Sequence, residues 1–361
     1  MTQKKIILFM PSVEGGGVEK NFFIISNFLA KKIKSVTLIT AEKNLTRKLK
    51  NINIVSPKSD SWRKGGRLRK YLISVFLLIR LLKKDKNALV FSFQANLYAI
   101  LVCKFFGIKI ISRSNSSPSG WSKNSIKRFI YKVGLNLADK LIVNSLDFQR
   151  EMKEKFSIKT IHIYNPLNKK EIIKLSQKKI KNPFSKNVLK IISVGRLVDQ
   201  KDQITLLKAI NKLKEFYRVQ FILIGRGNKY SKIINYIKTN NLSNRVKVFY
   251  TSNPFPYIRQ SDLFILSSKY EGLPNVLLES IVLKKMIISS DCPTGPREIL
   301  LKGKAGLLFK IGNYKELSKK IIFYVKNKKK CQKMINNSIK ALDRFNYKKN
   351  LEKYLNLIKN T

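Results

Sequence analysis

The sequence predicts an α/β protein made of two doubly wound, Rossmann-like domains that face one another across a cleft, and three observations lead there. The 361 residues suffice for two cores of ordinary size, and 44% of them are hydrophobic, which places the chain among globular rather than disordered proteins. Short apolar runs alternate with helical patterns, as parallel strands joined by helical crossovers do. The alternation occurs twice, with a polar, lysine-rich stretch between the two series.

The first series opens at Ile6-Ile7-Leu8-Phe9-Met10. It runs into a loop holding Gly15, Gly16 and Gly17 and then a helix with apolar residues at Val18, Phe22, Ile25 and Phe28. Further strands are expected at 36–40, 89–93, 108–112, 141–144 and 160–164. Residues 1–168 thus form the first domain and 169–187 the linker. The second series, 188–340, places strands at 189–194, 221–224, 246–250, 263–266 and 286–290. The tail from 319 to 359 reads as two or three basic helices. The triple glycine has neither the G-x-G-x-x-G spacing of a dinucleotide enzyme nor the GK[ST] of a P-loop.

Charge is the unusual quantity. The chain holds 74 basic and 21 acidic residues, a formal net charge of +53. Residues 1–168 carry 32 basic and 9 acidic residues and 169–361 carry 42 and 12, so the excess is spread evenly. A drift in composition toward Lys, Ile and Asn explains an even spread as well as a functional cause does. Either way, such a surface is drawn to anionic membranes, polyphosphates and nucleic acids until salt screens it.

The three cysteines, Cys103, Cys292 and Cys331, are too far apart in sequence for a C-x-x-C pair, so neither a disulfide framework nor a zinc site is expected. Pro11 and Glu14 cut the first apolar run too short for a signal peptide, and no stretch approaches the ~18 to 20 apolar residues that span a bilayer. Residues 62–84 carry eight basic and no acidic residues around an apolar run. A helix of that composition suits the headgroup region of an anionic membrane or, equally, a core helix with a basic collar. Residues 126–132 would extend the same face.

One decapeptide organises the second half: Tyr270-Glu271-Gly272-Leu273-Pro274-Asn275-Val276-Leu277-Leu278-Glu279. Gly272 permits a sharp turn and Pro274 suits a first helical turn, so a strand enters a tight loop and then a helix whose N-terminus can meet an anion. Glu271 and Glu279 read as hydroxyl acceptors for a polyol rather than as metal ligands. Three further segments sit at strand-to-helix junctions. They are Gly195-Arg196-Leu197-Val198-Asp199-Gln200-Lys201-Asp202, Ile224-Gly225-Arg226-Gly227, and Asp291-Cys292-Pro293-Thr294-Gly295-Pro296-Arg297-Glu298-Ile299.

With its E-x7-E spacing the decapeptide resembles retaining glycosyltransferases of the GT-B fold, glycosyltransferase family 4 above all, and the other three segments occur in that family's order. The resemblance implies transfer of a hexose or N-acetylhexosamine from a nucleoside diphosphate sugar, with UDP the expected nucleotide, to a growing surface or lipid-linked glycan. A polyprenyl diphosphate is among the carriers such an acceptor would have. Configuration would be retained by front-face substitution, in which the departing phosphate takes the acceptor's proton. No metal or other cofactor is implied, since basic side chains and helix amides hold the diphosphate. The catalytic set it implies is Arg196 and Lys201 on the diphosphate and Glu271 at the donor sugar. Gly15, Gly16, Gly17, Gly195, Gly225, Gly227, Gly272, Leu273, Pro274, Asn275, Glu279 and Gly295 would line the donor site, with Glu279 on the ribose. Arg113, in Ser112-Arg113-Ser114-Asn115, matches a Ser-Glu-Arg-Asn position and would face an acceptor phosphate. The last helix, 341–361, would cross back onto the first domain with Phe345 and Tyr347 as aromatic anchors.

The sequence departs from the family at 92–96, where relatives place a histidine and this chain has none. His162, its single histidine, lies in an alternating run and reads as a strand residue. These features place the chain in the cytoplasm, peripheral on the inner face of the cytoplasmic membrane. Its expected partners are a nucleotide-sugar donor, a glycan acceptor and an anionic membrane surface, with no specific nucleic acid. The rival readings are a GT-B epimerase, a non-catalytic binding relative, and a basic nucleic-acid-binding protein, the last of which lacks any recognition motif.

Overall fold

A computed structural model describes residues 5–13, 15–42, 45, 48–59, 61–115 and 125–361, the side chains of Arg63, Lys64 and Lys127 aside. The chain divides into two compact units, one of Met1–Pro166 with Tyr347–Thr361 and the other of Leu167–Asn346.

The first unit is a parallel sheet of β1 (Lys5–Phe9), β2 (Ser35–Ile39), β3 (Asn53–Val55), β4 (Ala88–Ser92), β5 (Ile110–Arg113), β6 (Lys140–Val143) and β7 (Ile161–His162). Its strand order is β3-β2-β1-β4-β5-β6-β7. Central strands of such a sheet are covered on both faces, so they read as continuous apolar runs. All five residues of β4 are buried accordingly. The crossovers are α1 (Gly17–Lys32), α2 (Ser61–Lys64), α3 (Arg67–Lys84), α4 (Asn96–Phe105), α5 (Ser125–Asn136) and α6 (Leu146–Phe156). One core lies under α3, α4 and α6, from Leu78, Leu82, Ile100, Cys103, Phe148 and Met152. Ser145 starts α6, its Oγ accepting the Phe148 N–H at 3.1 Å, which satisfies a donor the first helical turn leaves open.

The second unit holds α7 (Lys169–Ser176) and six parallel strands. These are β8 (Leu189–Val194), β9 (Val219–Ile224), β10 (Val246–Phe249), β11 (Leu263–Leu266), β12 (Met286–Ser290) and β13 (Leu307–Phe309). Their order is β10-β9-β8-β11-β12-β13. Between and after them lie α8 (Gln203–Leu213), α9 (Tyr230–Thr239), α10 (Phe255–Gln260), α11 (Asn275–Val282), α12 (Pro296–Ile299), α13 (Tyr314–Lys326) and α14 (Lys328–Ala341). A 3-10 turn, Leu342–Phe345, precedes α15 (Tyr347–Lys359), which belongs to the first unit. There Leu351, Tyr354, Leu355 and Ile358 pack with Phe22, Ile25 and Leu29 of α1.

Three boundaries differ from those expected. Residues 169–187, read as a linker, contain α7, which packs on α10 and α11 and whose Leu175 carbonyl accepts from Asn253 Nδ2 at 3.0 Å. The capping pair Asn168 and Glu171, with Asn168 Oδ1 accepting the Glu171 N–H at 3.2 Å, overrides the polar composition. The returning helix starts at Tyr347 rather than 341, because α14 runs on through Ala341. Strands β3 and β13 were not expected; three residues each is too short a run to show a pattern.

Arg113 corrects a further expectation. It is fully buried. Its Nε donates to the Tyr354 hydroxyl at 3.0 Å, Nη2 to Asn165 Oδ1 at 2.5 Å, and Nη1 to Asn115 Oδ1. One N–H of each guanidinium nitrogen is therefore engaged inside the first unit, and the Nε bond to Tyr354 fastens α15 to the end of β5. A buried guanidinium survives only when its donors are satisfied. His162 sits on β7 as expected, half-buried, with its ring edge-on to Tyr164 at 4.1 Å between centroids.

Tyr354→Phe removes the acceptor of a buried charged donor, and urea unfolding should show a loss of about 1–3 kcal/mol. An unchanged midpoint would mean that Arg113 finds another partner without cost.

Candidate functional site at the switch point of the second sheet

In the second sheet the strand order reverses between β8 and β11. Loops leaving the carboxyl ends of those two strands part in opposite directions, and ligands of open α/β sheets bind at that point. Residues 195–202 leave β8 and residues 267–274 leave β11, so two of the four sequence motifs meet there.

The two loops are joined side chain to backbone. Gln200 Nε2 donates to the Tyr270 carbonyl at 2.9 Å, the Lys269 N–H to the Gln200 carbonyl at 2.8 Å, and Ser267 Oγ to the Lys201 carbonyl at 2.9 Å. At their centre Lys201 Nζ donates to Glu271 Oε1 at 2.5 Å, with side chains only 16% and 8% exposed. Ser268 Oγ donates to the same oxygen at 2.6 Å, and Thr294 Oγ1 holds the Glu271 carbonyl at 2.5 Å. Among the described residues no donor reaches Glu271 Oε2. That oxygen can accept from a ligand hydroxyl, and the Lys201 ammonium keeps two of its three donors.

Arg196 is exposed, and its Nη2 donates to Gln200 Oε1 at 3.4 Å. Its backbone is fixed all the same, since Gln203 Nε2 donates to the Arg196 carbonyl at 2.8 Å. The guanidinium is thus a positioned, unneutralised cation at the loop's edge. Glu279, one helical turn beyond Asn275 on α11, is buried. Burial pushes the neighbouring Cys292 thiol well above its usual range, with Glu271 adding to the effect, so it is uncharged and unreactive at neutral pH.

The glycines divide into two kinds. A Cβ on Gly225 would overlap the Gly195 carbonyl, and one on Gly227 would overlap the Leu197 backbone. Both glycines let the loops after β8 and β9 cross in backbone contact. Gly295 has φ +89° and its Cβ would strike the Gly272 carbonyl, so it seats the 291–298 loop on the decapeptide. Gly195 is different. A Cβ there would meet only the Lys201 methylenes at 3.7 Å, an ordinary contact, so the protein's own packing does not demand glycine. Leu273 and Pro274 are buried at the start of α11, whose N-cap residue is Pro274, a side chain with no acceptor to offer its first turn.

The first sheet reverses between β1 and β4. Gly15, with φ +79°, and Gly16 lead into α1 at Gly17 from the end of β1, and the Ser12 N–H donates to Gln94 Oε1 at 2.8 Å, tying this loop to the one after β4. Gln94 lies in the segment noted for lacking a histidine. Gln94, Gln200, Ser268 and Thr294 escaped the sequence reading as contributors. Two of them, Gln200 and Thr294, lie inside quoted motifs, but a neutral side chain that bonds a neighbouring loop has no periodic or charge signal. Among the described residues no three His, Cys, Asp or Glu side chains gather as a metal site would require.

Comparison with known proteins adds three findings. The model for Glycosyltransferase Family 4 matches residues 15–171, and that for Glycosyl transferases group 1 matches 176–341. An uncharacterised glycosyltransferase of Methanocaldococcus jannaschii is 36% identical over 180 residues, covering 47% of this chain and 44% of its own length. The N-acetylgalactosamine-N,N'-diacetylbacillosaminyl-diphospho-undecaprenol 4-alpha-N-acetylgalactosaminyltransferase of Campylobacter jejuni is 26% identical over 326 residues, 86% of this chain and 87% of that one. Among solved structures, Anabaena HepE in complex with UDP and glucose superimposes with TM-score 0.80 at 18% identity, covering 99% of this chain and 100% of that one.

Gly295→Ala should destabilise the protein by about 1–3 kcal/mol, as a strained left-handed residue with a backbone clash does, whereas Gly195→Ala should leave the melting temperature within the small range of a benign substitution. Equal effects in thermal denaturation would contradict the division of the glycines.

Proposed function

We propose that the chain, whose first part matches the model for Glycosyltransferase Family 4 and whose second part matches that for Glycosyl transferases group 1, is a glycosyltransferase that moves a hexose or N-acetylhexosamine from a UDP-sugar onto a lipid-linked glycan with retention of configuration. One observation carries the reading. At the switch point of the second sheet a buried Lys201–Glu271 pair stands beside the open, positioned cation of Arg196. Breaking the sugar–phosphate bond builds charge on the leaving diphosphate, and fixed positive groups stabilise that charge most when they need not reorganise. Glu271 holds the Lys201 ammonium in place beforehand, and Arg196 adds a planar fork suited to phosphate oxygens. Gly195 leaves room for the diphosphate to approach the backbone. Glu271 Oε2 accepts from a donor-sugar hydroxyl and Glu279 from the ribose.

Retention follows a front-face course in this proposal. A carboxylate already bound by an ammonium and a hydroxyl is a poor nucleophile, which disfavours a covalent intermediate on Glu271. The cations make a metal unnecessary. UDP is favoured over GDP because the Anabaena protein with the same fold binds UDP, and the lipid-linked acceptor because the Campylobacter relative acts on a diphospho-undecaprenol glycan. Such an acceptor brings the enzyme to a membrane surface, on the cytoplasmic side where nucleotide sugars are made.

A thermal-shift panel of UDP- and GDP-sugars tests the donor, and stabilisation by GDP-sugars alone would reject it. Arg196→Ala or Lys201→Ala should each lower turnover of the preferred donor by on the order of 10² or more, while chelation with EDTA should leave the wild-type rate unchanged. Full activity in both variants would remove the two cations from the site. A product of inverted anomeric configuration by NMR would end the front-face account.

A further inference from the structure

We propose that the outer face of α3, α4 and α5 in the first unit docks on an anionic lipid bilayer, with a ridge of aromatic and aliphatic side chains entering the headgroup region. The ridge is built by the helix period. Ser74, Leu78 and Leu82 of α3 and Ala99, Ile100 and Cys103 of α4 face the core. The opposite sides of the same helices expose Leu72 at 54%, Phe76 at 59%, Leu101 at 50% and Phe105 at 84%, and α5 adds Ile126 and Phe129 at 67% and 65%. The three helices are neighbours. Tyr71 and Tyr98 hold their rings 6.1 Å apart between α3 and α4, and Gly134 of α5 lies against Leu97 of α4 so closely that it has no room for a Cβ. Contiguous apolar patches of this kind on a soluble surface mark interaction sites.

Charge identifies the partner. α3 holds six basic residues, α4 one and α5 three, with no acidic residue in any of them. α6, which packs on the same side of the sheet, has three acidic and three basic residues. Charge alone does not mark this face, since α14 also holds five basic residues and no acidic one; there no large hydrophobic side chain is exposed, whereas here cations and an exposed apolar ridge coincide. Lys70 and Lys104 have acidic partners in Glu42 and Asp139, while Arg69, Arg80, Lys83 and Lys84 stand exposed around the ridge. A second copy of the chain docking by two-fold symmetry would set these like charges against each other. No described helix is long and apolar enough to cross a membrane, so the face would lie in the interface, apolar side down and cations toward anionic headgroups.

The surface rests on the lipid-linked acceptor reading only for its purpose, and its test is separate. The full chain should cosediment at physiological salt with phosphatidylcholine vesicles containing phosphatidylglycerol, and about tenfold less with phosphatidylcholine alone. The combined variant Leu72→Ser, Phe76→Ser, Phe105→Ser should lower binding to the anionic vesicles by about tenfold or more. Arg69→Glu with Arg80→Glu should do the same, and both variants should keep the wild-type thermal shift with UDP. Binding of the serine variant equal to wild type would overturn the proposal, since charge alone would then suffice. So would a wild-type chain that ignores vesicles and forms a dimer which the serine variant dissolves. Vesicle binding lost as expected in a chain that shows no nucleotide shift would uphold the surface and reject the donor reading.

Discussion

The candidate site of the second unit depends on one ion pair placed where a sheet changes direction. Lys201 and Glu271 are 70 positions apart, and each belongs to a loop that would be mobile alone. Their buried contact at 2.5 Å, with Ser268 on the same carboxylate oxygen, welds the loops after β8 and β11 into one rigid rim. Removing either partner would leave a buried charge without its counterion, a larger penalty than the pair's net worth. The pair therefore sets geometry first. In the proposed reaction its catalytic value would come from that, because an ammonium held in advance has no reorganisation to perform when a diphosphate departs.

Two arginines at strand ends show how context decides what a cation does. Arg113 ends β5 and turns inward, where Tyr354, Asn115 and Asn165 each accept from one of its nitrogens and the Tyr354 bond ties the last helix to the first sheet. Arg196 follows β8 and turns outward, restrained through its backbone and Gln200, with its charge left unneutralised. The sequence around both looks alike, an apolar run and then an arginine. The difference lies in what the returning chain brings up: α15 supplies a hydroxyl beside Arg113 from 241 residues away.

The charge of the chain divides in the same manner. Spread over the whole surface, +53 says only that anions are attracted. On α3, α4 and α5 the same lysines and arginines surround exposed Phe76, Phe105 and Phe129, and a diffuse attraction acquires a direction. In the docking we propose, such a face would orient the first unit on an anionic bilayer.

Much was legible beforehand because it is local. Apolar runs of four or five residues marked the principal strands, and the glycine- and proline-bearing motifs marked the junctions where Arg196, Lys201 and Glu271 reside. Edge strands of three residues, such as β3 and β13, fell below what a pattern can register, and α7 hid in a polar stretch whose cap outweighed its composition. What only the tertiary structure decided is pairing over distance. That Glu271 meets Lys201, that Gly225 serves loop crossing while Gly195 would tolerate a Cβ against Lys201, and that Arg113 bonds the last helix follow from the strand order of the two sheets. A sequence encodes each residue's chemistry and local period, but which partners exhaust that chemistry depends on which loops the sheet brings side by side.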